Sequence, residues 1–404
     1  MSCAKQTAVV VGAGVFGTTA ALALARRGYA VSLLDQLTGP GPLPHPLAAS
    51  TDISKVIRMD YGADVDYTAW MEAALDGWRR WNRDWSEHRE DPLFHETGVV
   101  CLTRAALCPG TFEYESYRLL RERGHQLERL DAQAIRQRFP AWNSDLFIDG
   151  YFNPEGGYAE SSRVVAQLLR LAEQAGVALI AGQRVERLLE DGEKVCGVIT
   201  DGGAQLRADR VVLTVGAWTP YQFPFLAAEL RAVGQPVFHL RPSRAAQYRA
   251  KQFPVFFADI ANTGYYGFPM SREGVVKIAN HGIGKELHPE SPERLVSSHQ
   301  TAQLRQFLKD AVPDLADAEI VHTRVCLYAD TWDEHLWIAP DPERPGLIVA
   351  TGDSGHSFKF APVLGELIAD AVQGQGHPLL HKFRHRPGLR TVGGHGQEAA
   401  RYHG

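Results

Sequence analysis

The sequence predicts an α/β protein in which a parallel sheet with crossing helices is interrupted by a second, α+β domain built on an antiparallel sheet. Three observations predict it. An apolar strand near the N-terminus runs straight into a G-x-G-x-x-G turn and a helix. Strand and helix patterns of the same kind return after residue 160 and again from Leu347. The stretches in between carry short alternating strands rich in aromatic residues and proline.

The N-terminal unit is the most legible. Thr7 to Val11, TAVVV, is a continuous apolar run and reads as a buried parallel strand. Gly12, Gly14 and Gly17 follow. The first permits a tight turn, the second lets a pyrophosphate approach the backbone, and the third lets helix and strand pack closely. The next helix has one apolar face and ends at Gly28. Its N-terminus offers N–H groups and a positive dipole end to phosphates. A second strand, AVSLLD, finishes on Asp35, an acceptor for an adenosine ribose. Strand, turn, helix, strand and acid fall in the order that dinucleotide binding requires. The motif does not choose between NAD and FAD.

Ser161 to Trp218 reads as helix, short strand, strand, hairpin and strand, with turn signals at EDGEK and TDGGA. RVVLTVGAW is a buried strand running out at Gly216, and Leu347 to Val372 is another strand feeding a helix. The nucleotide-binding domain is therefore expected to be discontinuous, over residues 1–84, 151–220 and 326–388. Residues 85–150 and 221–325 would form the substrate domain. Residues 389–404 lack apolar periodicity and read as a loose tail whose histidines are solvated rather than metal ligands.

Bulk properties narrow the class. The chain has 404 residues, 45% of them hydrophobic, enough for two or three domains. A net charge of -5 argues against a general nucleic-acid binder. No apolar run is long enough to span a bilayer, and MSCAKQ leads directly into a strand, so neither membrane span nor cleaved signal is expected. Five unevenly spaced cysteines suggest neither a disulfide framework nor a zinc site, and fit a reducing cytoplasm.

One loop exceeds the needs of its turn. VATGDSGHSFKF, Val349 to Phe360, sets a lysine between two phenylalanines where a glycine and a cap would suffice. Together with VVVGAGVFG, GYYGFP, VVKIANHG and CLYADTWDEH, in this order over roughly residues 7–388, it resembles the flavin-dependent amine oxidases of the D-amino-acid-oxidase superfamily. The branch it is most similar to holds monomeric sarcosine oxidase, pipecolate oxidase and fructosyl amino acid oxidase.

The resemblance implies a Rossmann-type FAD-binding domain, FAD rather than NAD, and oxidation of a secondary amine or N-substituted amino acid, with O2 reduced to hydrogen peroxide. Readings that stay open are a dehydrogenase of the same fold and a tailoring flavoprotein acting on a larger amine. The expected partners are a small amine and O2, and the expected state is a monomer or small homo-oligomer.

The resemblance also implies roles for single residues. Cys326 would form a thioether to the flavin, chemistry that needs a thiolate. Lys277 would lie over the flavin and promote oxygen reduction, since a fixed cation stabilises superoxide. His281 matches a substrate-side histidine, and Tyr266 and Tyr328 match pocket tyrosines. Arg58 and Lys359 would hold the substrate carboxylate, Arg58 through its planar fork. Val15, Phe16, Ser50, Thr51, Val185, Gly216, Trp218, Asp353, Gly355, His356 and Ser357 are expected beside the cofactor, as are Lys55 and Lys359. Lys55 and Ser357 depart from the sarcosine-type pattern, which has arginine and glycine there, and agree with the fructosyl type.

Overall fold

A computed structural model describes residues 5–37, 44–86 and 91–388. The expected tail, 389–404, lies outside the described residues. The described residues form two compact units, one within 5–52, 160–232 and 327–388, the other within 53–159 and 233–326.

The first unit is built on a six-stranded sheet. Strand β1 (Thr7–Val11) lies at its middle, paired in parallel with β2 (Ala30–Asp35) and with Arg210–Leu213. Ala178–Ala181 extends the parallel ladder beyond β2, and Leu347–Thr351 beyond Arg210–Leu213. Trp337–Pro340 closes one edge antiparallel. The TAVVV run is apolar throughout because its last four residues are buried. Helix α1 (Val15–Arg26) is buried from Val15 to Leu24, so it reads as apolar on most sides. The helix Ala361–Gln373 crosses it closely. A Cβ at Gly365 would lie 2.3 Å from the Thr19 carbonyl oxygen, so only glycine permits this approach. A three-stranded antiparallel sheet, Val185–Asp191, Lys194–Thr200 and Gln205–Arg207, supplies the hairpins expected at the two turn signals.

The second unit carries a nine-stranded sheet, which includes Glu319–Thr331 paired to Leu230–Arg241. Leu230–Arg241, Val276–Asn280, Tyr265–Gly267 and Val255–Ala258 are consecutive antiparallel neighbours. Val255–Ala258 then pairs in parallel with Val99–Thr103. The expected antiparallel sheet thus contains a parallel pair. Its two strands are far apart in sequence, so no hairpin dictates their direction. Below it lies a core in which Trp142 stacks on Phe253 at 5.4 Å and meets Phe256 edge-on at 4.7 Å.

The boundaries differ from those read in sequence. Residues 53–84 and 151–159 and Cys326 belong to the second unit, and residues 221–232 to the first. Strand β3 (Lys55–Ile57) pairs antiparallel with Gly157–Ala159, and Trp78 of helix α2 (Val65–Ser86) packs on Phe94 at 5.9 Å. Pairing across the second unit, invisible to local pattern, holds these segments there. RVVLTVGAW also ends its strand early, at Leu213, and continues as a 3-10 turn over Gly216–Trp218.

Candidate active site

The first group of predicted residues forms a cradle in the first unit. Gly12 has φ +99°, and a Cβ there would meet the Thr214 carbonyl oxygen at 2.8 Å. A Cβ on Gly17 would lie 1.8 Å from the Gly12 carbonyl oxygen. The turn therefore folds onto the start of α1 with room for no side chain. The Ala13 N–H donates to Asp35 Oδ2 at 2.8 Å, and the Val15 N–H to Ser50 Oγ at 2.9 Å. Asp35 thus organises the turn besides ending β2. Gly14 caps α1 without a side-chain bond, and the first turn of the helix holds no acid. Phosphate oxygens would meet a positive helix end with no acid on its first turn. These features fit the pyrophosphate and ribose of a dinucleotide.

The remaining cradle residues show what their side chains do. Thr51 spends its hydroxyl inside its own loop, donating to the carbonyls of His45 and Ala48. The Val185 carbonyl accepts from Gln222 Nε2 at 2.6 Å. Trp218 packs at 5.4 Å from the His45 ring, and Gly216 before it has φ +54°. Phe16 is buried on α1.

The GDSGHSFKF loop belongs to the same unit and is cross-braced. Asp353 Oδ1 accepts from the Gly355 N–H at 2.8 Å and Oδ2 from the Ala329 N–H at 3.2 Å. Ser357 Oγ donates to the Asp353 carbonyl at 3.0 Å, and His356 Nε2 donates to the Glu334 carbonyl at 3.0 Å. His356 is therefore a brace of the loop. Gly355 has φ +75°, and a Cβ there would strike the Tyr328 ring at 2.3 Å. Tyr328 is packed on the loop backbone by this glycine. Lys359 follows on a 3-10 turn, Phe358–Phe360, and is only 4% exposed. That rules out a solvated loop lysine.

In the second unit three predicted cations lie around one short segment. Lys277, on Val276–Asn280, is 2% exposed. Its strand is flanked on both sides, so the edge position common for a strand lysine does not apply. Nζ donates to the Ser54 carbonyl at 2.6 Å and sits 4.6 Å from the Phe268 ring centroid. Lys55, next in sequence to Ser54, places Nζ 3.5 Å from Cys326 Sγ. Cys326 is 2% exposed. Arg58 follows β3, 6% exposed, with its guanidinium 5.1–5.7 Å from the rings of Phe257, Tyr61 and Phe112.

Aromatic rings connect these points. Tyr266 lies 6.4 Å from Phe257, its cross-strand partner, and 6.0 Å from Phe268. His281 leaves the end of the Lys277 strand buried, its N–H bonded to the Gly264 carbonyl at 2.8 Å. Lys55, Arg58, Tyr266, Lys277 and Cys326 are thus brought together within one unit. The sequence reading missed Tyr61, Phe112, Phe257 and Phe268, which enclose the cations. For Phe112, Phe257 and Phe268 the one mark in sequence is the aromatic richness of the inserted segments, and Tyr61 lies outside them.

A desolvated arginine among rings suits an anion, and a buried lysine suits charge that develops beside it. Comparison with known proteins identifies the family. The profile of the DAO family, FAD dependent oxidoreductase, matches residues 7–371. N-methyl-L-tryptophan oxidase of Salmonella arizonae is 30% identical over 91% of this chain and 94% of its own. Monomeric sarcosine oxidase of Bacillus sp. is 26% identical over 95% and 96%. Among solved structures, the fructosamine oxidase Amadoriase II of Aspergillus fumigatus superposes with a TM-score of 0.81 at 26% identity, covering 98% of this chain and 95% of its own.

Proposed function

The chain belongs to the DAO family of FAD-dependent oxidoreductases, and from that premise we propose that it is an oxidase of N-substituted amino acids. The amine CH–NH unit loses two electrons and two protons to give an imine, which water hydrolyses, and O2 takes both to become hydrogen peroxide. Bound FAD supplies the two-electron relay.

The observation that carries this reading is the enclosure of Arg58. Its guanidinium is stripped of water by Tyr61, Phe112 and Phe257, so a carboxylate gains more from it than from a surface arginine. Arg58 orients the substrate by its carboxylate, and Lys359 is a carboxylate-binding lysine by the resemblance of its loop. Lys277 stabilises reduced oxygen, held in place by the Ser54 carbonyl. Tyr266 and His281 shape the side of the amine, and Tyr328 is a pocket tyrosine by resemblance alone. In the cradle, Gly12, Gly14, Gly17, Asp35 and Ser50 take the pyrophosphate and ribose of FAD. Cys326 attaches the flavin covalently. The enzyme works in the cytoplasm as a monomer or small homo-oligomer.

Peroxide release from sarcosine, N-methyltryptophan, pipecolate and fructosyl amino acids tests the reaction. At least one carboxylated secondary amine is expected to yield peroxide. Anaerobic reduction by these amines without reoxidation by O2 would instead make the protein a dehydrogenase. Acid precipitation tests the linkage, since covalent flavin stays with the pellet.

A further inference from the structure

Beside Cys326 stands an arginine that the family motifs leave without a role. Arg294 lies between the short strand Lys285–Glu286 and the helix Ser298–Ala311. Its segment is a series of tight turns, with the Ser291 N–H bonded to the His288 carbonyl at 2.9 Å and the Arg294 N–H to the Ser291 carbonyl at 3.1 Å. The half-buried Arg294 side chain reaches the strand Glu319–Thr331 that carries Cys326. Nε donates to the Val325 carbonyl at 3.0 Å, and Nη1 to the Pro289 carbonyl at 3.2 Å. Gly234 packs against both segments. A Cβ there would meet Val325 Cγ1 at 2.7 Å and Leu287 Cδ1 at 3.0 Å, so the contact leaves no slack.

The electrostatics point the same way. Burial pulls the Arg294 guanidinium down to about 10, opposed by Cys326 and reinforced by the like charge of Arg324. From β3, Lys55 brings a further cation to within 3.5 Å of Cys326 Sγ. Sγ of Cys326 thus has cationic neighbours from two separate segments.

We propose that Arg294 is a positioning residue for Cys326. It fixes the Val325–Cys326 backbone and, with Lys55, stabilises negative charge on Sγ. The proposal rests on the assignment of Cys326 as the attachment cysteine and adds the group that readies it.

The test reads the sulfur itself. Flavin-free protein from riboflavin-starved cells is treated with methyl methanethiosulfonate near neutral pH. Cys326 sulfur displaces methanesulfinate and forms a mixed disulfide, quantified by peptide mass spectrometry. The exposed Cys108 serves as internal reference. Arg294→Gln should slow labelling of Cys326 at least about tenfold and leave Cys108 unchanged, with Arg294→Lys recovering part of the rate. Unfolding would accelerate labelling, the opposite direction, so it cannot imitate this result. An unchanged rate in Arg294→Gln overturns the proposal, as does a Lys variant no faster than the Gln variant. Should Arg294→Gln not fold, Lys55→Gln decides, because an unchanged rate there removes the cationic account. Flavin released by acid from the wild-type holoenzyme, beside Arg294-dependent labelling, would sink the covalent linkage and leave the role of Arg294 standing.

Discussion

The cradle of the first unit and the cation cluster of the second are built by opposite means. The cradle is backbone. Its working parts are a glycine turn, a helix end and one carboxylate, all within Thr7 to Asp35. The cluster is side chains. Ser54 and Lys55 meet Lys277 and Cys326 from more than two hundred residues away. A site made of backbone tolerates no added atoms. A site made of side chains tolerates substitution but loses its charge with it. The two kinds of site should therefore fail differently.

The largest effect is expected in the cradle. Gly17→Ala sets a Cβ 1.8 Å from the Gly12 carbonyl oxygen, and backbone cannot step aside as a flexible side chain could. The variant should lose on the order of 3–5 kcal/mol and its flavin with it, read from flavin absorbance per protein after gel filtration. A yellow, stable Gly17→Ala would mean that the turn does not hold the cofactor.

Next comes Lys277→Met, which keeps length and removes charge. Flavin reduction by substrate without oxygen should barely change, while reoxidation by O2 slows at least about a hundredfold. The Ser54 carbonyl also loses its donor, so thermal unfolding should report a further loss of about 1–3 kcal/mol. Collapse of the reductive half-reaction instead would move Lys277 to the substrate side.

Arg58→Ala should weaken kcat/KM for carboxylated substrates by about 2–3 kcal/mol, with Lys359→Ala acting in the same direction. Amines that lack a carboxylate should suffer less. Equal losses for both kinds of amine would remove the carboxylate role from Arg58.

The smallest effect lies away from both sites and sharpens the contrast. His125 sits between two carboxylates, 2.9 Å from Glu72 and 2.5 Å from Glu155. Burial works against its charged form, but the bonds to Glu72 and Glu155 outweigh it and raise its pKa. Arg123 on Glu72 and Arg79 on Glu155 complete the network. A raised pKa means that the stabilisation is full below the ordinary histidine range and is lost as pH rises through the folded value. Unfolding midpoints should therefore fall slightly from mildly acidic to mildly alkaline pH, by at most about 1 kcal/mol. His125→Gln should flatten that slope and leave turnover intact. A slope unchanged in the variant would place the titrating group elsewhere.

Much of the first unit was legible from contiguous residues. Thr7–Val11, α1 and Ala30–Asp35 fall where TAVVV, the glycine turn and AVSLLD place them. Period, turn chemistry and helix ends are local properties, and local pattern carries them. The loop 349–360 was legible as unusual, though not as the braced structure it is. His356 and Asp353 take their roles from Glu334 and Ala329, which no spacing reveals.

The domain boundary, the burial of Lys277 and the surroundings of Cys326 were decided by tertiary structure. Residues 53–84 read as a continuation of the nucleotide domain, yet β3 pairs with Gly157–Ala159 and carries them into the second unit. Lys277 in VVKIA is compatible with an exposed edge. Only the strands on both sides of it, the Ser54 carbonyl and the Phe268 ring make it an interior cation. Arg294 carries no motif and lies in a turn-rich stretch that reads as surface. It gains its place beside Cys326 from a hydrogen bond to a carbonyl on another strand. Charge acts through space and desolvation depends on all neighbours at once, so which cation meets which sulfur or carbonyl is settled only where the chain closes on itself.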